Sequence, residues 1–87
     1  MRRIEQYDNV HNELRELFLK KNTDYGDSFA EDGPLGVLVR LKDKLSRAIN
    51  VSKTGITLVE SELLRETAAD LSNYATMIVM LLDENND

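Results

Sequence analysis

The sequence predicts an all-α fold: a three-helix unit, with two shorter helices and one long C-terminal helix, assembling as an oligomeric helical bundle. Three observations carry this. Apolar residues recur at three- and four-residue spacing along three stretches. The segments between them are rich in Asn, Asp, Gly and Ser or contain a glycine, which is loop chemistry. The apolar surface of the last stretch is wider than one helix of a three-helix unit needs, so a second chain is expected to pack on it.

The first helix is predicted from about Arg3 to Lys21, with Ile4, Tyr7, His11, Leu14, Leu17 and Phe18 on one side. Glu5, Glu13 and Glu16 fall on the other side, so the Glu13/Glu16 pair reads as a solvated edge and not as metal ligands. Asn22 to Gly33 reads as a loop in which Gly26 and Gly33 supply positive φ. Pro34 suits the first turn of the second helix, where its missing N–H is no loss. That helix is predicted to run to about Asn50, with Leu38, Leu41, Leu45, Ala48 and Ile49 as its core side. Val51 to Ile56 forms a short connection. Thr57 and Glu60 have the spacing of a capping box, and the third helix follows to about Asp83 or Glu84. Its apolar side holds Leu63, Leu64, Leu71, Tyr74, Ala75, Ile78, Leu81 and Leu82, over roughly 160° of the circumference.

The 87 residues suffice for a single domain, 1–87, with a modest core. There is no cysteine, which excludes disulfides and thiolate metal sites, and the single His11 argues against a histidine-based one. No apolar run approaches the roughly 18 residues of a membrane span. The first residues lack the apolar stretch of a signal peptide, so a cytoplasmic location is expected. Acids outnumber bases 16 to 11, for a formal net charge of -5. Duplex nucleic acid is therefore not expected as a partner. A small anion responds to local charge instead, and the bases are clustered.

Two polar stripes border the core faces. On the third helix Glu62, Glu66, Asp70 and Asn73 recur at i, i+4, i+8 and i+11, within an arc of roughly 80°. Met77 continues the line into apolar surroundings. Acids at i,i+4 repel by a few tenths of a kcal/mol (about 0.2–0.5) per pair, which a cation or a basic helix must offset. Oxygen ligands of this kind suit Mg²⁺ or Mn²⁺. On the second helix Arg40, Asp43, Lys44 and Arg47 fall within roughly 100°. Arginine forks bind phosphate or carboxylate in pairs of hydrogen bonds. Internal salt bridges between the two stripes would satisfy the same pattern. The segment from Lys21 adds Asn22, Asp24 and Ser28 as compact polar groups, Tyr25 as a ring able to stack on a base, and Gly26 for close backbone approach. Alternatively, it is a plain turn with Tyr25 as a core plug.

The runs K-N-T-D-Y-G-D-S-F, R-L-K-D-K-L-S-R and E-T-A-A-D-L-S-N-Y-A together resemble the nucleotide-modification-associated domain proteins of bacteriophages, which are similar to the MazG-like all-α nucleoside triphosphate pyrophosphohydrolases. The resemblance spans roughly Leu14 to Leu82. It implies dimers or tetramers of helical bundles, host cytoplasm as the location, and hydrolysis of a nucleoside triphosphate to monophosphate and pyrophosphate. It also implies Mg²⁺ (or Mn²⁺) held by acids from two helices. Glu66 and Asp70, with Glu62 one turn before, match the later acidic motif and would be catalytic. At the earlier motif only Asp43 is acidic; Lys44 and Arg47 stand where acids are expected.

Three functional readings follow. In the first, a (d)NTP sits between helices two and three at a subunit interface, with its phosphates on Arg40, Lys44 and Arg47. Asp43, Glu62, Glu66 and Asp70 hold the metal, while Asn73 and the Asn22–Ser28 loop orient sugar and base, with Lys21 beside them as a further ligand-binding residue. In the second, the same pocket binds a nucleotide or cyclic nucleotide immune signal without cleaving it, as a sponge. In the third, the chain is a structural helical module and the stripes are internal ion pairs.

Overall fold

The short turn after the first helix sets the architecture, because it decides where the chain reverses. The computed structural model describes residues 2–53 and 58–85, without the side chains at 24, 25, 58–62 and 85. Helix α1 runs Arg2–Tyr25, a 3₁₀ turn covers Ser28–Ala30, α2 runs Gly33–Lys53 and α3 runs Leu58–Asn85. No strand occurs among the described residues. The all-α, three-helix expectation holds, with α3 the longest. The capping box expected at Thr57 and Glu60 lies outside the described residues.

Helix α1 continues past Lys21 to Tyr25, through the segment expected to be loop. Asn, Thr and Asp are weak helix formers because their side chains compete for backbone partners. Here the competition resolves within the helix: Thr23 Oγ1 donates back to the Leu19 carbonyl at 2.8 Å. The stop comes at Gly26, whose φ of 62° is left-handed. Its N–H donates to the Asn22 carbonyl at 2.7 Å, which closes the helix with a left-handed cap. Lys21 and Asn22 are thereby fixed on a helical turn, three and four residues beyond Phe18 and on its face. The 3₁₀ turn then folds back, and the Phe29 ring meets Phe18 edge-on with centroids 6.0 Å apart.

Helices α2 and α3 run antiparallel. Lys44 lies opposite Asp70, Arg40 near Tyr74 and Met77, and Ala48 near Leu64 and Thr67. The seam on α2 is Val37, Leu41, Lys44, Ala48 and Val51, with Val37 only 1% exposed. This corrects the expected core side: Leu38, Leu45 and Ile49 are exposed. The small side chains Val37 and Ala48 let the helices approach closely, and the charge of Lys44 is met by Asp70 across the seam. On α3, Leu81 is buried. Helix α1 crosses α3 rather than lining it. Glu13 reaches Arg65 while the adjacent Leu14 carbonyl accepts from Asn73 Nδ2, about two turns further along α3.

Part of the exposed apolar surface forms a face on the α2–α3 pair. Leu38, Leu45 and Ile49 on α2 lie nearly opposite Arg40 and Arg47 around that helix. Ala75, Val79 and Leu82 on α3 lie nearly opposite Glu66 and Asp70. Because Lys44 and Asp70 join the two polar flanks, both apolar stripes fall on the other side of the hairpin. The chain exposes 6875 Å², against roughly 5,200 Å² for a compact protein of its mass. Its radius of gyration is 14.6 Å, against about 12 Å for a compact chain of this length.

Candidate functional site

One carboxylate joins all three helices. Asp70 on α3 accepts from Lys21 Nζ of α1 at 3.0 Å through Oδ1, and from Lys44 Nζ of α2 at 2.9 Å through Oδ2. Its side chain is 17% exposed, against 36% for Lys44 and 50% for Lys21. Burial by itself would raise the Asp70 pKa. The hydrogen bonds and charges of Lys44 and Lys21 outweigh it and hold the carboxyl below its usual range. Lys44 is correspondingly raised, chiefly by its hydrogen bond to Asp70. Two ammonium groups on one carboxylate leave a net positive charge at this point.

A cavity opens on each side of this bridge. The larger, about 330 Å³, lies between the end of α1, the 3₁₀ turn, α2 and α3, and brings together Lys21, Asn22, Ser28 and Arg40 with Phe18, Phe29, Tyr74 and Met77. Gly26 lies on its wall, with no atom within 4 Å of where a Cβ would stand. The smaller, about 180 Å³, lies between α2 and α3 and is lined by Lys44, Arg47, Glu66, Thr67 and Asp70. Arg40 and Arg47 are exposed and make no ion pair among the described residues. Asn22 Nδ2 donates to Asp27 Oδ1 at 3.4 Å, which braces the turn beside the larger cavity.

The structure thus gathers Lys21, Asn22, Ser28, Arg40, Lys44, Arg47, Glu66 and Asp70 of the expected site along one side of the α2–α3 hairpin, divided between two cavities. Asn73 goes elsewhere: its amide donates to the Leu14 carbonyl at 3.1 Å and ties α1 to α3. Asp43 is exposed and lines neither cavity. The side chains of Asp24, Tyr25 and Glu62 lie outside the described residues. The aromatic walls Phe18, Phe29 and Tyr74 were not legible as site residues. Phe18 and Tyr74 follow the core periodicity of their helices, and Phe29 becomes a wall only because the 3₁₀ turn folds back.

Of the acids that the resemblance assigns to a Mg²⁺ or Mn²⁺ centre, Glu66 and Asp70 line the smaller cavity and Asp43 does not. Both Asp70 oxygens already accept from lysines, and no group of three or more metal-capable side chains occurs among the described residues. A second polar contact, the two-pronged Arg65–Glu13 pair at 2.7 and 3.0 Å, is exposed and lies on the α1 side of α3. It pins α1 and belongs to neither cavity. No helix among the described residues is long and apolar enough to cross a membrane. Comparisons with family models, with curated proteins and with solved structures find no match to this chain.

Proposed function

We propose that the basic side of the α2–α3 hairpin binds a phosphorylated nucleotide without cleaving it, and that the binding unit is a homo-oligomer. The observation that carries the binding reading is the Lys21–Asp70–Lys44 bridge, with Arg40 and Arg47 beside it making no ion pair among the described residues. On a chain of net charge -5, this concentrates positive charge where two concave, partly apolar cavities open. An anion that brings an aromatic base fits both properties, and arginine forks match phosphate oxygens. Retention rather than hydrolysis is favoured because Asp70, which joins the site to all three helices, is committed to lysines. The oligomer reading is supported by the apolar face on the opposite side and by the excess exposed area of roughly 1,700 Å², twice the ~800 Å² that each partner buries in a standard interface.

A retain-and-release assay tests the reading. The protein is incubated with NTPs, dNTPs and cyclic nucleotides with Mg²⁺ and ultrafiltered, and the retained fraction is heated. An intact nucleotide missing from the filtrate and recovered on heating is the expected result. Arg47→Ala should reduce retention about 10- to 100-fold, the range for losing a charged hydrogen bond. Pyrophosphate and monophosphate in the filtrate would instead establish the pyrophosphohydrolase. Passage of every nucleotide unchanged, with Arg47→Ala altering stability alone, would leave the structural module.

A further inference from the structure

We propose that the two cavities divide one nucleotide between them, with the nucleoside in the larger and the outer phosphates in the smaller. The inference rests on the nucleotide reading and assigns the ligand a direction within it. The larger cavity has ring faces and a thioether for walls, from Phe18, Phe29, Tyr74 and Met77, and carries Asn22 and Ser28 as small hydrogen-bonding groups. Its volume of about 330 Å³ falls at the lower end of small-molecule sites, where a nucleoside belongs. An aromatic wall attracts the face of a base and is indifferent to phosphate.

The smaller cavity is unsuited to a base. At about 180 Å³ it is too small for a nucleoside, and Lys44, Arg47 and Thr67 give it donors, with no aromatic ring among the described residues that line it. The two carboxylates that line it among the described residues do not cancel this. Asp70 is already neutralised by two lysines, and Glu66 is exposed to solvent. Arg40 stands on the larger cavity and Arg47 on the smaller. Seven residues of helix set them about 10.5 Å apart along the axis. A triphosphate laid along α2 is shorter than this, and the long side chains of Arg40 and Arg47 close the difference, so that Arg40 meets its first phosphate and Arg47 its last. The position of Arg47 makes it the residue that counts phosphates.

Calorimetric titration of the intact protein with the four ribonucleosides, their 5′-mono-, di- and triphosphates, and inorganic triphosphate tests the assignment. For the wild type, affinity should rise with each added phosphate. Arg47→Ala should weaken the triphosphate about 10- to 100-fold and the monophosphate less than about 2-fold. Phe29→Leu, which keeps apolar volume but removes the ring face, should weaken all phosphorylated forms of a given nucleoside by one common factor and leave inorganic triphosphate unchanged. Equal losses for mono- and triphosphate in Arg47→Ala would overturn the division of the ligand, and so would affinities independent of phosphate number. Absence of binding by any compound to the wild type would remove the nucleotide reading itself. Circular dichroism of both variants separates a lost contact from a lost fold.

Discussion

Asp70 is the residue at which stability and ligand chemistry meet. Its folded pKa is held below the ordinary aspartate value, so the stability it contributes is present above that ordinary value and is lost as pH falls through the lowered one. Lys44 is raised, so its share is present below the ordinary lysine value and is lost as pH rises through the raised one. Chemical denaturation across pH should therefore show an acid limb that Asp70→Asn removes. At neutral pH the same variant should be less stable by about 1–2 kcal/mol, the lower part of the range for a polar group left without its partner, because both lysines reach solvent. A wild-type acid limb unchanged in Asp70→Asn would show that other carboxylates govern it. The acid–base complementarity of the two stripes was legible in the sequence, and so was the alternative of internal pairing. The structure shows internal pairing at one point, Asp70 with Lys44, while Arg40 and Arg47 make no ion pair among the described residues. What periodicity could not supply was Lys21 as the second partner, because that contact depends on where α1 ends.

At the scale of elements, the cap at Gly26 matters most. The sequence marked Gly26 as a positive-φ position but placed it in the middle of a loop; the structure places it as the cap of a longer α1. The difference arises because Thr23 satisfies its own hydroxyl on the Leu19 carbonyl, so a segment of weak helix formers continues the helix it follows. Gly26→Ala has room for its methyl group, since nothing lies within 4 Å, yet must hold a left-handed conformation. It should lower stability by about 1 kcal/mol in denaturant melts, and a neutral result would show that the turn relaxes to another conformation. The core face of α2 was misplaced for a related reason. Hydropathy favours the leucines at 38 and 45, whereas close packing favours the smaller Val37 beside Leu41 and Ala48, which lie in the seam as expected. The charged Lys44 sits in the seam only because α3 brings Asp70 to meet it.

At the scale of the whole molecule, the two cavities and the apolar stripes of α2 and α3 lie on opposite sides of one helix pair. The basic cavities lie on one side with α1, and Leu38, Leu45, Ile49, Ala75, Val79 and Leu82 lie on the other. Light scattering should give a mass that is a small multiple of 9.9 kDa. Leu45→Glu combined with Val79→Glu should reduce it to the single-chain value, since burying unpaired carboxylates in an apolar interface is strongly unfavourable. A wild-type mass of one chain would remove the oligomer. The width of the apolar surface on α3 was legible in the sequence; that α2 contributes a matching stripe to the same face was not, because it requires the relative rotation of two helices. The three-helix bridge has one more consequence, for the order in which the chain assembles. Asp70 meets Lys44 across a sequence separation of 26 residues and Lys21 across 49. Closing the longer loop costs about 0.6 kcal/mol more chain entropy, and the shorter closure already brings Asp70 to where Lys21 must find it. The hairpin is thus the entropically favoured first event, and the helix that leaves the ribosome first is the last to dock.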